Sequence, residues 1–388
     1  MTDHSTWPEA RWRHLILGGL CVVWLALQLG FFYKLGVRHL GDTGRYLHAA
    51  ERILSGSLPA GKAASYLGYD FFVALFLGMH LGTKSIAAAQ AVVAFGALLA
   101  LYGVGTRLHD ARVGLTAVTA YVLFPDVGYW HCAILTDSLY ASMIIISTWL
   151  AVSAASAPGV LAALVSFCFT CTIRPHGVGF AVSGFLFLLC SLEAAGRWRA
   201  LVLVLVCAAV AAPAAWIVVG DMSAHENILR HYLDGTVIWG YPDANISALS
   251  EARAAHARGL HPIIAIVLYM VREPMHFWTL ALERVGYFLA HARPSFTWYH
   301  NLISLAVLLP AYALAAWSVV KVPARRHCGK VFIVSTFAAQ ASIVAVTFAD
   351  WDARHLVPVL SVVFLLASAG LWDILERIRG PAPSRKRG

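Results

Sequence analysis

Four short polar clusters interrupt an otherwise apolar chain, and each places ionisable side chains at the edge of an apolar block. The first is Gly41-Asp42-Thr43-Gly44-Arg45-Tyr46. Asp42 or Thr43 can N-cap a helix running to about Ser55-Gly56. Asp42 is then either only a cap or a cap with a second role. The second cluster joins Phe124-Pro125-Asp126, Tyr129-Trp130-His131 and Thr136-Asp137. Asp126 can simply be solvated. Asp137 starts a long uncharged helix, where a carboxylate is costly unless it is paired, hydrated or capping. The third is Ile173-Arg174-Pro175-His176-Gly177, a very short turn. Its guanidinium can snorkel to lipid headgroups, or grip a phosphate with its planar fork. The fourth is Asp350-Trp351-Asp352-Ala353-Arg354-His355, dense in charge for this chain. A local Asp–Arg pair would account for it.

The elements that must position these groups are membrane helices. The chain has 388 residues, 60% of them hydrophobic and only 13% charged, with a mean hydropathy of +0.70. A soluble domain of this size would carry more charge. The apolar residues come in long blocks rather than in alternation, so the spans are helices and not barrel strands. The expected fold is all-α, a polytopic transmembrane helical bundle. Spans need roughly 17–25 residues and are expected near 15–33, 86–106, 113–130, 134–152, 159–173, 177–193, 200–219, 301–320, 331–349 and 355–372. Residues 66–83 are also apolar but contain Asp70 and His80. Arg11 and Arg13 precede the first span, and a basic tail follows the last, so both ends are expected in the cytoplasm and the number of spans must be even. Residues 66–83 are therefore expected at the outer interface or as a re-entrant segment. The chain reads as a single transmembrane domain, 1–388, of about ten spans plus non-spanning outer-interface helices. Loops 34–85 and 220–300 lie outside, the basic loops 107–112, 196–199 and 321–330 lie inside, and 373–388 forms a basic cytoplasmic tail.

With this orientation, 14 of the 20 acidic residues and 13 of the 17 histidines fall on the outer side. The positive-inside rule constrains Lys and Arg and says little about these groups, so their gathering points to chemistry or binding at that surface. The net charge of +9 suits basic loops on an anionic leaflet, and no nucleic acid is expected as a partner. Most cysteines sit inside apolar blocks as small hydrophobes. Cys168 and Cys171 spell C-x-x-C without a second pair, so neither a metal nor a redox role is expected. No spacing in 220–300 resembles a zinc motif.

The order of these features resembles the GT-C superfamily of integral-membrane glycosyltransferases, in particular the protein O-mannosyltransferases and the lipid A aminoarabinose transferases. An Asp in the first outer loop opens a helix with Tyr and Ala, and a Pro with acidic residues follows at the outer ends of the next helices. An Arg-Pro-x-Gly turn comes next, at 174–177. Arg272-Glu273-Pro274 leads into an amphipathic helix with Arg284, and Arg293-Pro294-Ser295-Phe296 follows. Asp352-Ala353-Arg354-His355-Leu356-Val357-Pro358 sits before a late span. The likeness covers about residues 10–372. It implies a GT-C-like bundle and a polyprenyl-phosphate-linked sugar donor. The sugar would pass to a glycan, lipid or protein acceptor at the periplasmic or outer face, with inversion. By the same likeness Asp42 would be the general base, and Asp137 matches the second acidic position better than Asp126. The chain departs from the family where many members have Glu at the Thr-Asp position and Tyr in place of His355. No soluble C-terminal domain like that of some larger members is expected.

The chemistry is consistent with these residue types. A sugar hydroxyl is a poor nucleophile, so a positioned carboxylate must take its proton during attack. The leaving phosphate is already ionised and needs cations rather than an acid. Arg45, Lys62, Arg174 and Arg354 are candidates. Tyr46, Asp126, His131, His176, Asp352 and His355 are further candidates for substrate contact. Some members of the superfamily use a divalent metal and some do not; Mg or Mn would be held here by Asp42 and Asp137. The expected setting is a bacterial inner (plasma) membrane, among membrane lipids. A transporter or lipid flippase is the alternative. It would require polar groups near mid-membrane and often paired half-repeats, whereas the span interiors are almost free of charge and show no internal symmetry. Another membrane transferase would need a strong His or Ser/Thr nucleophile, and none stands out.

Overall fold

The computed structural model describes residues 7–154, 156–192, 222–250, 260–322 and 327–379. Over these residues the chain is helical, with no β-strand. The first apolar block forms α1 (Trp7–Leu35), which ends at Gly36, a residue with φ of 63° that only glycine adopts without strain. The short outer helices α2 (Thr43–Leu54) and α3 (Leu67–Gly78) follow. Next come α4 (Gly82–Leu108) and α5 (Ala111–Leu123). The Asp110 carboxylate caps α5 by accepting from the Arg112 and Val113 amides. The remaining helices are α6 (Pro125–Tyr129), α7 (Thr136–Ser153), α8 (Ala157–Ile173), α9 (Gly177–Leu192), α10 (Met222–Leu233), α11 (Pro262–Arg272), α12 (Pro274–Ala290), α13 (Trp298–Lys321), α14 (His327–Val346) and α15 (Val357–Arg379).

Among the described residues, five helices are long and apolar enough to cross a membrane: Arg11–Leu35, Gly82–Leu108, Trp298–Lys321, Cys328–Val346 and Val357–Arg379. The shorter segments Ala111–Leu123 and Pro158–Ile173 are also apolar. The expected span 200–219 and the loop 196–199 lie outside the described residues. The expected span 113–130 is interrupted. Pro125 holds Phe124 extended (φ −81°, ψ 109°), so α5 stops at Leu123 and a new turn starts as α6. Helix α3 has 12 residues, roughly 18 Å at 1.5 Å per residue. That is shorter than the ~30 Å hydrocarbon core.

Helix α15 is the centre of the bundle. Of its apolar window 78% is buried, against 11% for α1, which turns Leu15, Val22, Leu25 and Leu29 outward. Such a rim suits lipid, which is as apolar as the side chains facing it, so close packing rather than hydrophobicity must join the helices. Small residues supply that packing. A Cβ on Gly105 would lie 2.5 Å from the Gly114 Cα, so α4 and α5 meet backbone to backbone. Gly370 of α15 abuts the Leu314 carbonyl of α13 in the same way.

Ion pairs among the described residues separate to the two ends of the bundle. At one end Arg112 pairs with Glu376 at 2.6 Å, and Trp372 donates to Thr116 at 2.9 Å, tying α5 to α15. At the other end lie the four clusters. Two isolated parallel β-bridges, Arg38 with Ala133 and Ile238 with Ala349, pin the loops there.

Candidate active site

Asp42 stands at the N-terminus of α2, but its carboxylate makes no capping bond. The Thr43 hydroxyl orders this corner instead: it accepts from the Leu40 amide at 2.9 Å and donates to the Ile134 carbonyl at 3.0 Å. The Asp42 side chain is therefore left to other partners. Arg45 lies 3.4 Å from one oxygen and Arg354 3.9 Å from the other, and the side chain stays 34% exposed. On α2, Tyr46, Ala49 and Ala50 share one face and are buried, while Leu54 is exposed. That face packs on α3.

Asp137 is 1% exposed and is not a cap either. One of its oxygens accepts from the buried Arg174 guanidinium, and the other lies 3.9 Å from Arg354. A buried pair of this kind is held by its partners, because removing one strands a charge in a poor solvent. Burial alone would lower the pKa of Arg174, but Asp137 outweighs it and the net direction is upward.

Arg354 links the parts. Its Nε donates to Asp350 at 2.6 Å, Asp352 lies 3.6 Å away, and its two terminal nitrogens face Asp42 and Asp137. Burial opposes its charge, but Asp137, Asp350 and Asp352 together hold its pKa above the ordinary guanidinium value. Asp352 carries the opposite burden. Burial, then Asp350, pushes its carboxyl up. His176 and His355 pack ring to ring at 4.8 Å. Burial keeps both well below the usual imidazole pKa, with Arg174 and Arg354 adding to the effect. Both are neutral. Gln340 donates to the His355 carbonyl at 3.0 Å, and its amide nitrogen lies 3.3 Å from His176 Nδ1. Opposite them Arg45 covers the Tyr66 ring at 4.4 Å and hydrogen-bonds the Tyr46 hydroxyl.

Asp42, Arg45, Tyr46, Asp137, Arg174, His176, Asp352, Arg354 and His355 thus meet in one place. Three other sequence candidates do not join them. Asp126 pairs with His291 at 2.7 Å and His300 at 3.1 Å, where α6 meets the ends of α12 and α13. His131 is buried against Ser138 and Trp24. Lys62 is exposed on the turn Gly61–Tyr66. The structure adds Asp350 and Arg293 to the site. Arg293, from the Arg-Pro-Ser-Phe segment, donates to the Asp350 backbone carbonyl at 2.6 Å and so anchors the loop that carries Arg354. It also places the buried Asp70 near Arg45, with burial pushing its carboxyl up to about 7.

Asp42 and Asp137, the residues expected to hold Mg or Mn, both face arginine. The cation facing both Asp42 and Asp137 is the guanidinium of Arg354, and Arg174 takes the remaining Asp137 oxygen. Among the described residues no group of three or more His, Cys, Asp or Glu side chains is arranged to hold a metal ion.

Comparison with known proteins places the fold. No family model and no curated protein matches the sequence. Solved structures do. The archaeal oligosaccharyltransferase AglB from Archaeoglobus fulgidus, in complex with an inhibitory peptide and a dolichol-phosphate, superposes with a TM-score of 0.52 over 97% of this chain and 53% of that chain, at 13% identity. ArnT from Cupriavidus metallidurans, bound to undecaprenyl phosphate, gives 0.50 over 93% of this chain and 60% of that chain, at 16% identity. The chain therefore spans little more than half the length of these structures. This integral-membrane chain shares the fold of the matched regions of both structures.

Proposed function

We propose that the protein is an inverting glycosyltransferase that moves a sugar from a polyprenyl-phosphate donor to an acceptor hydroxyl at the outer face of the membrane. One observation carries this reading. A partly exposed, uncapping carboxylate, Asp42, stands beside a buried guanidinium that also reaches Asp137. A base must be accessible, and Asp42 is the accessible one. It takes the acceptor proton while the acceptor oxygen bonds to the anomeric carbon. The bond from that carbon to the phosphate oxygen breaks, and the phosphate leaves with the electron pair. Arg354, with Arg174 and Arg45, stabilises the charge on the leaving phosphate. Asp137 acts by holding the two arginines in place. The shared fold supports a lipid phosphate as donor, since AglB and ArnT were solved with dolichol-phosphate and undecaprenyl phosphate. Purified protein given radiolabelled polyprenyl-phosphate sugars and a panel of acceptors should yield labelled product and free lipid phosphate. No transfer from any lipid-linked donor would refute the assignment.

The proposed topology is about ten spans, both termini cytoplasmic, in a bacterial inner membrane. Loops 34–85 and 220–300 then lie outside. The segregation of the Arg112–Glu376 end from the Asp42 end supports it. A cysteine at position 109 should resist an impermeant thiol reagent in intact cells; its rapid labelling would reverse the orientation of the 107–112 loop.

A further inference from the structure

Gln90 is a polar residue deep in the apolar α4, and its side chain is fully buried. A primary amide there is tolerated only if its donors and acceptor are met. Gln90 accepts from the Tyr69 hydroxyl at 2.7 Å and donates to the Ala133 carbonyl at 2.8 Å. Both partners are also fully buried. Ala133 lies in the turn that leads into α7 and Asp137. The same turn is stitched to the first outer loop: the Arg38 amide donates to Cys132 at 2.9 Å, the Ile134 amide to Arg38 at 3.1 Å, and the Thr43 hydroxyl to Ile134 at 3.0 Å. The Tyr69 ring packs edge-on against Tyr46 of α2 at 4.9 Å, which closes the circuit. One end of it holds Thr43, next to Asp42. The other holds Ile134, three residues before Asp137.

We infer that Gln90 is a positioning residue that sets the spacing of Asp42 relative to Asp137 and the arginines. It touches no substrate and acts through the turn 132–135 and through Tyr69. The claim rests on the function proposed above. Reacting groups displaced by about 1 Å lose about 100-fold in rate, so loosening this circuit should slow the chemistry more than it weakens donor binding, because Asp350 holds Arg354 independently of the circuit.

The test is a set of full-length variants read in two ways. Gln90→Leu is expected to lower kcat at least tenfold while donor affinity stays within about twofold. Thr43→Val should behave in the same way. Thr43→Ser, which keeps the hydroxyl, should recover most of the rate. The second readout needs no activity: the alkylation rate of the buried Cys132, mapped by peptide mass spectrometry, should be slow in the wild type and faster in Gln90→Leu. Unchanged kcat with Cys132 still protected would overturn the inference, as would kcat and donor affinity falling together. If Gln90→Leu does not fold, Tyr69→Phe removes one hydroxyl with almost no change in volume. Its kcat should fall severalfold, and an unchanged kcat would overturn the inference. If the wild type transfers no sugar from a lipid phosphate, the functional reading fails, while Cys132 protection still decides whether the circuit holds the turn.

Discussion

Asp42→Asn is expected to give a protein that folds and binds its donor but transfers sugar about 10²–10⁴-fold more slowly, the usual loss when a general base is removed. The fold should survive because the Asp42 carboxylate makes no capping bond, and its two arginine contacts, at 3.4 and 3.9 Å, are long and partly exposed. The amide of Asn keeps the size and loses the basicity. Single-turnover kinetics, with donor binding followed by thermal shift, separate the two effects. A variant that transfers at close to the wild-type rate would show that Asp42 is not the proton acceptor.

Arg354→Lys is expected to weaken binding of the lipid-phosphate donor by about 10–100-fold, with a smaller effect on the acceptor. The estimate follows from losing one or two charge-assisted hydrogen bonds of about 1.5–3 kcal/mol. Lysine keeps the charge but lacks the fork that faces Asp42, Asp137 and Asp350 together. Arg354→Ala should lose more and should also destabilise the fold, because it leaves the buried Asp137, Asp350 and Asp352 short of a cation. Arg174→Ala strips Asp137 of its hydrogen-bonded partner and is expected to cost about 3–5 kcal/mol of stability. The lysine variant at 354 is therefore the cleaner probe of donor binding. Equal donor affinity in wild type and Arg354→Lys would remove this guanidinium from phosphate recognition.

Local sequence determined much of this molecule. Block hydropathy alone dictates helices, since a backbone crossing hydrocarbon must satisfy its own hydrogen bonds. The position of Asp42 before a helix with a Tyr46, Ala49 and Ala50 face is legible from 3.6-residue spacing. The four clusters could be picked out because charge is rare in such a chain. Tertiary structure alone decided what those groups do. From sequence, Asp42 and Asp137 read equally well as caps; a cap needs only its own helix, and only the fold brings Arg174 and Arg354 to them from 37 and 217 residues past Asp137. Asp126 and Asp137 have similar local settings, yet packing gives one His291 and His300 and the other two arginines. Asp350 and Arg293 lay within motifs already visible, but their roles depend on a bond across 57 residues. Gln90 had one signal, an amide inside an apolar span. Burying an amide demands partners, and hydropathy can state that demand without saying which chain segments will meet it, because those are set by how the helices pack.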